Sequence, residues 1–129
     1  MGQHVPTHSR LVNHDDRAIA LFNFNLGATV TRFSWPAAES RYATIARQLG
    51  CCPADSPDPV AAAALVEGLE QLNLELRVPR LRDCPGINEP RFRSVLTKMA
   101  NDALASGSPQ NNPRIPTAEE IIALYEAAW

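Results

Sequence analysis

The placement of proline constrains this chain more than any other feature. Eleven prolines divide its 129 residues into short segments, and within each segment apolar residues recur at spacings of three and four. Proline lacks a backbone N–H and interrupts both helix interiors and sheet ladders, so each segment reads as its own element. Spacings of three and four mark one face of a helix, whereas a half-buried strand alternates. No alternating run is long enough for a strand. The expectation is an all-α fold of about five helices in a compact bundle.

The first helix is expected from about Asp15 to Phe33, with Ile19, Phe22, Leu26, Val30 and Phe33 on one face. Asn23, Asn25 and Gly27 weaken it, because amides and glycine are poor interior helix residues. Pro36 is expected to open the second helix and Gly50 to end it, with Tyr42, Ile45, Ala46 and Leu49 buried. Asp58 and Pro59 read as the N-cap and first turn of a long third helix. Its inner side would carry Ala61, Leu65, Leu69, Leu72 and Leu76, and Val78-Pro79 would end it. The four alanines at 61–64 would let another backbone approach closely. Asn88 is expected to cap a fourth helix burying Phe92, Val95, Leu96, Met99 and Ala103. Thr117-Ala118-Glu119-Glu120 has the form of a capping box, opening a fifth helix that buries Ile121, Leu124, Tyr125 and Ala128. This gives two parts: a polar arm at 1–14 and one helical domain at 15–129.

Charge narrows the functional classes. Twelve basic and fourteen acidic residues give a net charge of −2. Neither half holds the basic excess that phosphate-driven nucleic-acid binding requires, so no nucleic-acid partner is expected. No stretch approaches the roughly 18 apolar residues of a membrane span, and the polar start MGQHVPTHSR lacks the apolar core of a secretory signal. Three cysteines are an odd number, Cys51 and Cys52 are adjacent, and no CxxC spacing occurs. Reduced packing cysteines in a cytoplasmic protein are the expectation.

Chemistry-bearing residues concentrate near the start: His4, His8 and His14, with Asp15 and Asp16. Imidazole and carboxylate are ligands for a borderline divalent cation. Pro6 interrupts any regular turn between His4 and His8. From the residues alone three readings stand: a polar arm with surface histidines, a transition-metal site, or a general acid/base histidine. Arg77, Arg80, Arg82, Arg91 and Arg93 cluster between two helices, interspersed with Glu75, Asp83 and Glu89, and read as a solvated salt-bridged face. Asn111-Asn112-Pro113-Arg114 reads as structural. No dinucleotide or phosphate loop is present.

Three segments in order resemble the iron-containing (group III) alcohol dehydrogenases: RYATIARQLG, LVEGLEQLNLELRVPRLRDCPGINEPRF and NNPRIPTAEEIIALYEAAW. The last is the most specific, being similar to that family's closing NPR-P-T-x-E-(D/E)-I-x-x-L-Y-x-A-A-W. The resemblance covers residues 37–129 and implies the C-terminal helical domain of the dehydroquinate synthase-like fold. In that family a His-x-x-x-His segment is followed ten residues later by Pro-His-Gly. His4 and His14 are also ten apart, and RAIALFNFNLGATVTRF resembles the helix that follows. The resemblance therefore assigns His14 as a metal ligand and His4 as a catalytic histidine near the reacting carbon. Asn13-His14-Asp15 stands where the family has Pro-His-Gly.

The implied activity is metal-assisted hydride transfer between an alcohol or aldehyde and NAD(P), with Fe2+ or Zn2+ as the cation. The resemblance places the other metal ligands and the nucleotide-binding part upstream of these residues, so the chain alone is expected to be inactive. The expected partner is a companion chain carrying the nucleotide-binding part, or a second copy forming a homodimer. A non-catalytic helical interaction module is the alternative.

Overall fold

The computed structural model describes residues 25–129. The expected positions Ile19 and Phe22, and all three histidines, lie outside them. Five helices follow in order. Residues 25–34 form α1, followed by α2 (Glu39–Gln48), α3 (Asp58–Glu75), α4 (Glu89–Ala105) and α5 (Ala118–Ala127). Short 3-10 turns lie at Trp35–Ala37, Leu81–Asp83 and Ser108–Asn111. No strand occurs among the described residues, so the all-α expectation holds.

Two helix pairs carry the core. In the first, Ala43 and Ala46 of α2 pack on Ala61 and Leu65 of α3, all at or near full burial. Alanine has no side chain to hold axes apart, so a small-residue seam lets two helices pack near the short end of the ~8–10 Å range of interaxial distances. The alanine run thus takes the role expected of it. In the second pair Leu81, Phe92 and Leu96 form the buried centre, with Ile87, Ile122, Tyr125 and Trp129 against it. The Phe92 and Trp129 rings stack at 4.3 Å and 16°, a contact worth about 0.5–1.5 kcal/mol beyond burial.

Helix α1 is tied to both pairs. Arg32 reaches Glu70 of α3 at 2.5 Å, and the Asn25 amide donates to the Pro79 carbonyl beyond the end of α3. At the other end of α1, Ser34 meets Asn112 and Phe33 meets Arg114. Ala28 is its buried apolar residue, while Leu26, Val30 and Phe33 are half-buried.

Several helix boundaries differ from expectation. Pro36 lies inside a 3-10 turn, and α2 starts three residues later, after a break at Ala38. Asp58 is the first residue of α3 rather than its cap, and Pro57 takes the N-cap position. The Asp58 carboxylate is committed elsewhere: Arg47 Nη2 binds it at 2.5 Å and also donates to the Ser56 carbonyl at 2.7 Å. That fork closes the loop between α2 and α3. By contrast Asn88 caps α4 as expected, its Oδ1 accepting from the Arg91 amide at 3.0 Å.

The apolar stripes of α2 and α3 are only partly buried. Ile45, Leu49, Leu72 and Leu76 were expected inside and instead lie 44%, 67%, 46% and 60% exposed. The alanine seam is the cause: it turns the small face of each helix inward, which leaves the large residues beside it with nothing opposite. On α4, Val95, Met99 and Ala103 are half-buried, and Ala100 joins Phe92 and Leu96 inside. Leu124 and Tyr125 are half-buried as well, while Ile121 and Ala128 are buried as expected.

Two helix ends use the same motif with different residues. After α2, the Cys51 amide bonds to Ala46 O at 2.9 Å and the Gly50 amide to Arg47 O at 3.1 Å, with Gly50 at φ 72°. After α3 the same pair of bonds joins Val78 to Asn73 O and Arg77 to Leu74 O, but the left-handed position is Arg77 at φ 53°. Glycine occupies that conformation without the steric penalty a side chain carries. Replacing Arg77 with glycine should therefore raise the unfolding free energy by about 0.5–1 kcal/mol in urea titration, whereas Gly50→Ala should lower it.

Candidate functional site

The described residues hold no group of three or more His, Cys, Asp or Glu side chains able to hold a metal ion. His4 and His14 lie outside the described residues. The three cysteines are free thiols; Cys84 is buried, and burial first, then the Asp83 charge, raises its pKa, which keeps the thiol protonated and unreactive. It packs, as expected of it.

The closing segment does form a built site, and α1 is what it grips. Ser34 is fully buried. Its hydroxyl lies 3.0 Å from Asn112 Oδ1 and 2.8 Å from Asn112 Nδ2, and the same Nδ2 donates to Arg114 O at 2.6 Å. The Arg114 guanidinium then lies over the Phe33 ring, 3.8 Å from its centre. Its Nη2 binds Glu120 Oε1 at 2.6 Å. Glu120 Oε2 in turn accepts from the Thr117 amide at 2.9 Å, while Thr117 Oγ1 accepts from the Glu120 amide at 3.2 Å. The capping box read from sequence is thus real, and one of its two carboxylate oxygens is shared with the arginine.

Each part has a physical reason. A buried hydroxyl without a partner is costly, so Ser34 needs an amide that reaches into the interior. Asn112 reaches it because the Ser108–Asn111 turn and Pro113 fix the backbone on either side. Cation–π contact and a carboxylate pair hold Arg114 on two sides. The Thr117 amide, donating to the Glu120 carboxylate, and secondarily Arg114, hold that carboxyl below the usual range.

Beside this clasp lies a cleft of about 230 Å³ between α1 and α5, lined chiefly by Leu26, Val30, Phe33, Ile121, Leu124 and Tyr125. The Tyr125 phenol has its pKa raised, first by burial and then by Asp102, so it stays protonated. Among the described residues the cleft is an apolar wall with no acid or base able to move a proton near neutrality. Sequence reasoning foresaw the structural role of Asn112 and Arg114 but missed Ser34. A lone serine before Trp-Pro carries no signal of burial.

This clasp is made by the residues of the NPR-P-T-x-E segment, so the most distinctive stretch of the sequence and the best-organised polar network coincide. The helical architecture and that segment are together those of the C-terminal domain that the family resemblance implies. The chain belongs to the Fe-containing alcohol dehydrogenase family, matching the model of its C-terminal domain over residues 20–129. It is 35% identical over 108 residues to the 1-propanol dehydrogenase PduQ of Salmonella typhimurium, covering 82% of this chain and 29% of that protein. An alcohol dehydrogenase of Thermococcus barophilus is 35% identical over 92 residues, 71% of this chain and 22% of its own. The bifunctional aldehyde-alcohol dehydrogenase AdhE of Escherichia coli is 30% identical over 91 residues, 70% of this chain and 10% of its own. The chain thus spans less than a third of the length of these relatives. No solved structure matches it.

Two outcomes test the clasp. Asn112→Ala orphans the Ser34 hydroxyl and should cost about 1–3 kcal/mol in urea unfolding, and much of that loss should vanish in Ser34→Ala/Asn112→Ala. The depressed Glu120 carboxyl contributes stability above its unfolded pKa of about 4.3, and that contribution disappears as the pH falls through the lower folded value. Glu120→Gln should remove this share of the acid-induced drop in melting temperature.

Proposed function

We propose that this chain is the C-terminal helical portion of an alcohol dehydrogenase working by metal-assisted hydride transfer between a short alcohol or aldehyde and NAD(P). The family match across residues 20–129 carries this reading, together with relatives named for alcohol oxidation.

Within that reading the described residues form a scaffold. No donor set among them could hold Fe2+ or Zn2+, and the sequence carries no dinucleotide loop, so in this reading residues outside 25–129 hold the cation and the nicotinamide. His14 supplies one metal ligand and His4 a histidine near the reacting carbon, as the resemblance to the family implies. The helix that follows His14 must then be held rigidly, because ligands displaced by even about 1 Å lose catalytic geometry. The Ser34–Asn112 and Phe33–Arg114 contacts fix the far end of that helix against α5.

On the register that the resemblance implies, His14 is the one metal ligand within residues 1–129, too few to retain a catalytic ion, and in this reading these residues are inactive by themselves. The nucleotide-binding part and the remaining ligands come from residues outside 1–129, on the same polypeptide or on a companion one. A second reading, a helical interaction module without catalysis, draws its support from the exposed leucines of α2 and α3.

Purified chain mixed with NAD(P)+, Fe2+ or Zn2+ and 1-propanol should give no reduced nicotinamide by absorbance. Calorimetry with the dinucleotide alone should give no binding heat. Turnover by the chain alone would refute its proposed inactivity. Activity that appears on adding a polypeptide with the upstream part, and disappears with His14→Ala, supports the dehydrogenase reading over the interaction module.

A further inference from the structure

The five arginines between Arg77 and Arg93 read from the sequence as a solvated salt-bridged face, and the structure divides them. Arg80 pairs with Asp83 at 3.1 Å, and Arg93 pairs with Glu89 at 2.7 Å and with Glu126 at 3.3 Å. Arg77, Arg82 and Arg91 are exposed and make no ion pair among the described residues. Asp83 and Glu89, the acids nearest to Arg82 and Arg91 in the chain, are therefore already taken. Two uncompensated cations remain around the start of α4.

Arg91 lines a cavity of about 360 Å³ together with Leu81, Ile87, Phe92, Val95 and Met99. Leu81 and Phe92 are buried and form its floor, while Ile87, Val95 and Met99 are half-buried and form its walls. Arg91 is the one charged residue of this lining. Its backbone amide is pinned to Asn88 Oδ1 at 3.0 Å, so the cation is anchored at a fixed point of the first turn. Arg91, Val95 and Met99 follow at four-residue spacing, which carries an apolar track from the guanidinium along two turns of α4. That track is roughly 12 Å long, the reach of about eight to ten extended carbons. Other cavities with an arginine also hold an acid: Glu39 stands beside Arg41, and Glu70 beside Arg80.

We infer that this cavity binds a medium-chain aliphatic carboxylate, with its headgroup on Arg91 and its chain laid along Ile87, Val95 and Met99. A guanidinium holds a carboxylate through two parallel N–H···O bonds, and an arginine without an acid of its own has that fork free. The remaining lining side chains offer no strong donor or acceptor, so the body of the ligand must be apolar. Methionine is unbranched and adaptable, which suits a flexible hydrocarbon chain. Charge supplies the selectivity: a neutral alcohol of the same length leaves Arg91 unpaired, and an amine is repelled by it. A peptide bearing one acidic side chain would lay its backbone amides over the same apolar walls at a desolvation cost. The site lies within residues 81–99 and does not depend on the dehydrogenase reading.

Isothermal titration calorimetry of the full chain with octanoate tests it. One molecule should bind per chain, with Kd on the order of 0.1–1 mM for an open site of this size. Arg91→Gln should weaken binding roughly tenfold, and Val95→Glu should abolish it, both with helical circular dichroism unchanged. Arg41→Gln, at the separate cavity, should leave it as it was. Octan-1-ol should bind roughly tenfold more weakly than octanoate, octylamine should not bind, and each methylene removed from the acid should cost about twofold to fourfold. Trp129 stacks on Phe92 of the floor, so its fluorescence should change as the site fills. No binding of octanoate at roughly ten times the expected Kd overturns the proposal. Binding indifferent to Arg91→Gln or Val95→Glu, or octan-1-ol equal to octanoate, overturns it as well.

Discussion

The buried Ser34 hydroxyl is the constraint on which the arrangement of α1 turns. A polar group cannot remain in an apolar interior without a partner, so the end of α1 can sit only where the Asn112 amide reaches it. Asn112 is itself fixed by the 3-10 turn before it and by Pro113 after it. Arg114 and Glu120 carry the same linkage onward into the first turn of α5. A chain of short-range requirements thereby joins residues 78 positions apart in sequence. Arg32–Glu70 and Asn25–Pro79 anchor α1 to the other helix pair, so α1 braces the whole set.

The two helix pairs are held by different means. Between α2 and α3 the contact is close and made of alanines, with little side-chain volume and low side-chain entropy cost. Between α4 and α5 it is made of large apolar groups, centred on Phe92 with Trp129 stacked on it. The first solution brings backbones together but leaves larger neighbours stranded at the surface, and the exposed leucines follow directly from it. The second fills volume and leaves a shallow cleft where α1 and α5 diverge.

Among the described residues these features make a support for the end of α1. The Ser34–Asn112–Arg114–Glu120 network is satisfied internally, the cleft beside it lacks, among the described residues, a titrating group poised near neutrality, and the cysteines are packing groups. Membership of the iron-containing alcohol dehydrogenase family gives the support a purpose, since α1 continues the stretch in which the resemblance places His14. The most distinctive residues of the sequence organise the end of this helix.

Much of the fold was legible in order along the chain. Local rules predicted all five helices, the Asn88 cap, the Thr117–Glu120 box and the stop at Gly50, because each depends on residues within about one turn. The same rules put Asp58 at a cap and Pro36 at a helix start, and both failed: Arg47 claims the Asp58 carboxylate, and Pro36 sits in a 3-10 turn that breaks at Ala38 before α2 begins. Periodicity named the correct faces but could not rank alanine against leucine: whether Ala46 or Leu49 turns inward depends on what the neighbouring helix offers. Sequence alone therefore determined which segments are helical, where α4 and α5 begin and where α2 stops, and the family to which they belong. The tertiary structure alone decided that Ser34 is buried, that Arg114 is shared between Phe33 and Glu120, and that Ile45, Leu49, Leu72 and Leu76 face outward. Helix formation is settled by neighbours in the chain, whereas burial is settled by neighbours in space.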